Sequence, residues 1–240
     1  MKNYEEFIKG ETIDLVIPNK FAVRNTNWFS WFNNEESTKY LANHGLFPNT
    51  RESQMKTLER MIQSNKKRTG LFLLIKKRSS NNIIGISSLS QIDWINSSAY
   101  LAIIMSPEKN RDIIFNSLEA KALLTQHAFE KLNLNKVRTS QVIELSDWQK
   151  YSYFFGYKTE GIMRAHFKKN NKFYDVCFHS CILSDYIKIK KKFGRNIWPG
   201  KENFLKLMMK FPKENIYEKI KKIIETENNK HQRKIENLIK

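Results

Sequence analysis

Cysteine is scarce in this chain, with two among 240 residues, Cys177 and Cys181. That excludes a disulfide framework, and no Cys or His pair stands at metal-ligand spacing, so no metal site is expected. The two thiols are four residues apart in a strand-like segment, which puts them on one face as buried thiols of a reducing compartment. No stretch reaches the ~20 consecutive apolar residues of a membrane span, and the N-terminal MKNYEEFIKGETIDL is charged throughout, unlike a secretory leader. A cytoplasmic protein without a membrane partner is expected. No internal repeat is present. Glycine is missing from residues 97–134, where an apolar strand, a polar loop and a long amphipathic helix succeed one another. In α/β proteins such a junction meets anionic ligands, and glycine there lets the backbone N–H groups come close.

Acidic residues are also in short supply: 24 Asp and Glu face 42 Lys and Arg, a net charge of +18. Half of that excess lies in residues 185–240. The remainder is spread thinly and reads as a solvated lysine-rich surface, so nucleic acid is not the expected partner. A 40% hydrophobic and 12% aromatic content excludes a disordered chain and suffices for one main core.

Periodicity then orders the elements. Residues 11–17 alternate and stop at Pro18, a first strand. Asn25 and Thr26 can cap a helix running through Trp28, Trp31 and Phe32 toward Leu41. A loop over residues 43–48 breaks it, and a capping-box start at Thr50 opens a helix over 50–64. Strands over 71–75, 83–92 and 99–105 form a meander. A helix over 117–134, a strand over 136–143, a short helix over 146–155 and a hairpin of 162–167 with 173–183 follow. The order is that of an α+β protein with a mixed, mostly antiparallel seven-stranded sheet flanked by helices. Residues 1–184 are expected to form this domain. Residues 185–240 form a basic, helical C-terminal extension that packs on it or joins a second copy in a homodimer.

Several phrases in this order resemble one family. They are Trp31-Phe32-Asn33-Asn34-Glu35 with Lys39-Tyr40-Leu41, Ile84-Gly85, and the run from Gln91 to Ala99. Glu119-Ala120 with the run from His127 to Val137, Gly156 to Gly161 with Arg164, and Lys172 to Val176 complete the set. Together, over residues 8–184, they resemble the GNAT superfamily of N-acetyltransferases, in the branch of ribosomal-protein and amino-sugar N-acetyltransferases.

The resemblance implies acetyl-CoA as co-substrate, lying across a splayed strand pair, with Ile103, Ile104 and Met105 lining the pantetheine. Lys109, Asn110, Arg111, Asn116 and Ser117 would meet its phosphates. The family's basic residue and two glycines fall here at Asp112, Phe115 and Ser117, a degenerate coenzyme loop. The fourth-strand carboxylate falls at Tyr100. The tyrosine that protonates the leaving thiolate falls at Ser152, with Tyr151 and Tyr153 beside it, and Tyr153 is the expected acid. His44 and His166 are candidate bases, since imidazole titrates near neutrality. Trp31, His44, Arg164, His166 and Tyr174, with Glu160, are placed toward the acceptor, although Arg164 and Asp175 can instead pair across strands. The implied reaction moves an acyl group from acyl-CoA to a primary amine of a small acceptor, a nucleotide-linked amino sugar ahead of a protein N-terminus. The alternative is a catalytically reduced scaffold that binds a partner.

Overall fold

The computed structural model describes residues 4–41, 45–107, 112–194 and 196–239. An N-terminal hairpin of β1 (Glu6–Lys9) and β2 (Ile13–Val16) precedes three short helices, α1 (Lys20–Asn25), α2 (Trp28–Trp31) and α3 (Glu35–Thr38). The helix α4 (Arg51–Lys67) leads into the meander β3 (Leu71–Lys77), β4 (Ile83–Asp93) and β5 (Ser98–Met105). The long helix α5 (Asp112–Glu130) crosses to β6 (Lys136–Val142), and a short turn leads to α6 (Ser146–Phe154). The hairpin β7 (Lys158–Lys169) and β8 (Lys172–Ile182) follows, and α7 (Leu183–Phe193), α8 (Lys201–Met208) and α9 (Ile216–Ile239) end the chain.

The strands form one sheet in the order β1-β2-β3-β4-β5-β6-β8-β7. Every neighbouring pair is antiparallel except β5 with β6. The fold class is the expected one, with an eighth strand: Glu6–Lys9 pairs with β2 ahead of the strand the alternation marks.

The single helix expected between residues 25 and 41 is two pieces, α2 and α3, and a further helix, α1, precedes it. Polar side chains capture the backbone there. Asn19 Oδ1 accepts from Ala22 N at 3.0 Å, Thr26 Oγ1 accepts from Trp28 N at 3.3 Å and Asn34 Oδ1 accepts from Ser37 N at 3.0 Å. Each such bond offers the chain an alternative to continuing the helix. In α4 the predicted capping box is present between Thr50 and Ser53. The β7–β8 hairpin turns on Asn170 and Asn171, both at positive φ as a tight two-residue turn requires.

The two faces of the sheet carry separate cores. On one, α1, α2 and α4 pack Val23, Trp28, Trp31 and Leu58 against β2, β3 and β4. On the other, α5 packs Leu118, Ala122 and Phe129 against Leu73, Leu101 and Val137. Residues beyond 184 add to this second core: Phe204 stacks on Phe155 at 5.9 Å and meets Phe115 edge-on at 6.4 Å. Farther along, Tyr217 is fully buried against Cys177, whereas α9 is exposed from Glu225 onward. Cys177 and Cys181 are both buried free thiols. Among the described residues no helix is long and apolar enough to cross a membrane.

Candidate active site

Parallel pairing of β5 with β6 lasts for three residues, from Ser98↔Lys136 to Tyr100↔Arg138. Beyond that the strands diverge. Residues 101–105 stay paired with β4 on one side and face an open cleft on the other. The Tyr100 hydroxyl bonds to Ser140 Oγ across the point where the strands part. A cleft of about 850 Å³ fills the wedge. Leu101 to Met105 form one wall and Thr139 to Val142 the other, with Ser117 and Lys121 of α5 between them and Trp148 of α6 beside them. Tyr40, Leu41, His166 and Phe167 stand at the far end. Backbone groups along the free edge of β5 can hydrogen-bond an extended amide ligand as a missing strand would.

Ile103, Ile104, Met105, Tyr100 and Ser117 therefore all line one cleft. His166 joins them because of a bulge. Between Met163↔Val176 and Phe167↔Tyr174, three residues of β7 stand against one of β8, with Ala165 at positive φ. The Ala165 N–H donates to Asp175 Oδ1 at 2.7 Å, which fixes the bulge. Such bulges re-aim side chains. His44 and Lys109, Asn110 and Arg111 lie outside the described residues.

The coenzyme loop departs from its sequence reading. Asp112 to Ser117, expected as a loop, already belong to α5, so the N–H groups of Asn116 and Ser117 are engaged within the helix. Phe115 points away from the expected phosphate position into the core, 7% exposed, against Phe204. The Asn116 side chain accepts from Thr12 Oγ1 at 3.0 Å and serves the β1–β2 turn. Asp112 is bound by Lys201 Nζ at 2.6 Å and Lys77 Nζ at 3.8 Å, and the Lys201 hydrogen bond holds its carboxyl below the usual range.

Other predicted residues stand elsewhere. Tyr153 does not line the cleft: its hydroxyl donates to Thr159 Oγ1 at 2.9 Å. Trp31 is a core residue on the opposite face of the sheet. Tyr174 is buried in an aromatic cluster, stacked on Phe167 at 5.2 Å. Arg164 is exposed, and Asp175 is paired with Lys221 at 2.8 Å rather than with Arg164. Glu160 is held by Lys136 at 2.7 Å and Ser180 at 2.6 Å.

Two groups escaped the sequence reading. Lys121 is buried on the cleft and its Nζ donates to Ser152 Oγ at 2.6 Å. Burial pushes its pKa down to about 7. The signal was present in the sequence, a lysine inside the run from Leu118 to Leu124, which is otherwise apolar except for Glu119. The second is Gln141, which lines the cleft and donates to Tyr217 Oη at 2.5 Å, tying the wall to α9. Tyr217 Oη also meets His179 Nε2 at 2.7 Å, and burial, with the Lys121 charge adding to it, lowers the pKa of that imidazole to about 3.

Comparison with known proteins places this geometry. The family model for the acetyltransferase (GNAT) domain matches residues 26–178. A spermidine N-acetyltransferase from Vibrio cholerae, in complex with CoA and spermine, is similar at 19% identity and a TM-score of 0.64, over 74% of this chain and 99% of that one. A GCN5-related N-acetyltransferase from Brucella melitensis is similar at 21% identity and a TM-score of 0.62, over 85% and 89%. An acetyl transferase from Salmonella typhimurium that modifies the N-terminal serine of a ribosomal subunit protein is similar at 18% identity and a TM-score of 0.58, over 72% and 96%. No curated protein sequence matches the chain.

Proposed function

The chain belongs to the GNAT acetyltransferase family, and on that premise we propose that it transfers an acetyl group from acetyl-CoA to a primary amine on a small anionic acceptor. The observation that carries the reading is the free edge of β5, residues 101–105, along a cleft opened by the divergence of β6. The pantetheine arm lies along that edge, over Ile103, Ile104 and Met105. The diphosphate reaches the start of α5, where Lys77 and Lys201 offset Asp112 and the helix dipole favours an anion. The acceptor enters beside His166, which takes up the proton its amine loses. Exposed Arg164 and Lys168 sit on β7 beside His166, whereas Lys172 is paired with Glu144 at 3.3 Å, a charge distribution that suits a nucleotide-linked amino sugar and opposes a polyamine.

Saturable stabilisation by acetyl-CoA in a thermal melt is the expected result, with a smaller shift from CoA alone. Release of free thiol in the presence of amine acceptors then reports turnover. No shift at millimolar coenzyme overturns the reading. A second reading, a scaffold that binds without turning over, draws on Ser152 at the expected tyrosine position and on the engagement of Tyr153 with Thr159. It is the outcome if acetyl-CoA binds and no acceptor, hydroxylamine included, releases thiol.

A further inference from the structure

Lys121 lies one turn beyond Ser117 on α5, and both side chains line the cleft. The Trp148 and Tyr157 rings stand 5.8 and 4.2 Å from its Nζ, and Ser152 Oγ accepts its proton at 2.6 Å. Among the described residues no carboxylate lies within ion-pair distance of it. The titratable groups that face it from other elements are Tyr157 before β7 and His179 and Cys181 on β8. Burial keeps all three neutral, raising the tyrosine and the thiol and lowering the imidazole. A methionine would fill the same space without the cost of a buried, uncompensated ammonium. The amine is thus kept at a cost, on a residue that lines the cleft.

Its partner is informative. Ser152 occupies the position at which the family resemblance puts the tyrosine that protonates the leaving thiolate. With no phenol ring at 152, the Lys121 side chain reaches the serine from the neighbouring helix. We propose that Lys121, oriented by Ser152, is the proton donor to the departing thiolate of the coenzyme, an inference that rests on the acetyl-transfer reading above. The acceptor nitrogen bonds to the carbonyl carbon, and the carbon–sulfur bond breaks with its electron pair on sulfur. One proton of the Lys121 ammonium passes to that sulfur. The neutral amine is then recharged, through the open mouth of the cleft, by the proton the acceptor nitrogen gives up. Acetyl-CoA and amine thereby become amide and free thiol, with no further reactant. A pKa near 7 suits a group that must hold and yield a proton at neutral pH.

The test uses the full chain with acetyl-CoA and hydroxylamine, an acceptor already unprotonated at neutral pH. In Lys121→Met the acetyl-CoA thermal shift is retained while thiol release falls ~100-fold or more. Lys121→Arg keeps the charge, cannot yield the proton and falls likewise. In the wild type, thiol release declines above pH about 7, and the variants lack that limb. Turnover of Lys121→Met within about threefold of wild type overturns the proposal and leaves the acetyl-transfer reading intact. So does an acetyl group found on Lys121 by intact mass during turnover, which would make it an acceptor. A wild type without the acetyl-CoA shift overturns the acetyl-transfer reading itself and this proposal with it. Should Lys121→Met fail to fold, the wild-type profile decides alone: a flat response above neutrality overturns the assignment.

Discussion

At the scale of single residues, burial of ionisable groups dominates the cleft side of the sheet. Lys121 carries a folded pKa of about 7 against the ordinary 10.5. Between those values the unfolded chain holds a proton that the fold rejects, so stability rises with pH through that window. Below it both states are protonated and the whole desolvation penalty is present. Lys121→Met is therefore expected to raise Tm at pH 7, by the equivalent of a few kcal/mol, and to flatten Tm across the window. Melting curves at a series of pH values check both. Tyr153 gives the opposite kind of result. Its hydroxyl serves Thr159, so Tyr153→Phe should cost about 1 kcal/mol in stability and leave the rate of thiol release unchanged. A large loss of rate would return Tyr153 to the cleft. The sequence pattern could not separate these two residues. Tyr153 matched a family position by proximity, whereas Lys121 matched none, and only the packing of α6 on α5 reveals which polar atom meets the wedge.

At the scale of elements, strands were readable and helix boundaries less so. Alternation located β2, and apolar runs of strand length located β3 to β6, because each rests on local backbone preference. Two misreadings have one cause, a competition that local pattern does not display. Between residues 19 and 38, asparagine and threonine side chains take backbone N–H groups, set α1 apart and cut the single helix expected from residue 25 to 41 into α2 and α3. Ahead of Ser117, α5 begins at Asp112 because Phe115 has a distant partner, Phe204 of α8, that draws it into the core. The glycine-free stretch is thus a helix start buttressed by the C-terminal segment. Lys201 on that segment neutralises Asp112. Lys201→Ala should leave Asp112 facing the diphosphate and weaken acetyl-CoA by ~2–5-fold, the usual scale of a charge at a helix N-terminus. Asp112→Asn in the same background should recover the loss. Titration of the thermal shift reads both, and a Lys201→Ala affinity equal to wild type would remove Lys201 from the coenzyme site.

At the scale of the whole molecule, charge and architecture separate two roles for the basic surface. Half of the +18 lies beyond residue 184. That segment is fastened to the fold at Trp198, Phe204 and Tyr217, and α9 extends from Tyr217 with its later turns exposed. The remaining excess includes exposed Arg164 and Lys168 on β7, the strand that brings His166 to the cleft. Only the latter can act on an acceptor bound beside His166. Attraction of an anionic acceptor by exposed lysines and arginines is screened over a Debye length of about 8 Å at physiological salt. Raising ionic strength should therefore increase KM for a nucleotide-linked amino sugar while leaving kcat nearly constant, because charges at the mouth contribute to encounter and ground-state binding rather than to bond breaking. A polyamine should behave inversely, with KM falling as salt screens its repulsion from Arg164 and Lys168. Reversing the charge of Arg164 and Lys168 together should exchange the two salt responses without altering the acetyl-CoA thermal shift, since neither residue lines the coenzyme wall. A KM for both acceptors that ignores salt would mean that the basic surface serves solubility alone and that acceptor choice is made by the residues lining the cleft, Tyr40, Phe167 and His166.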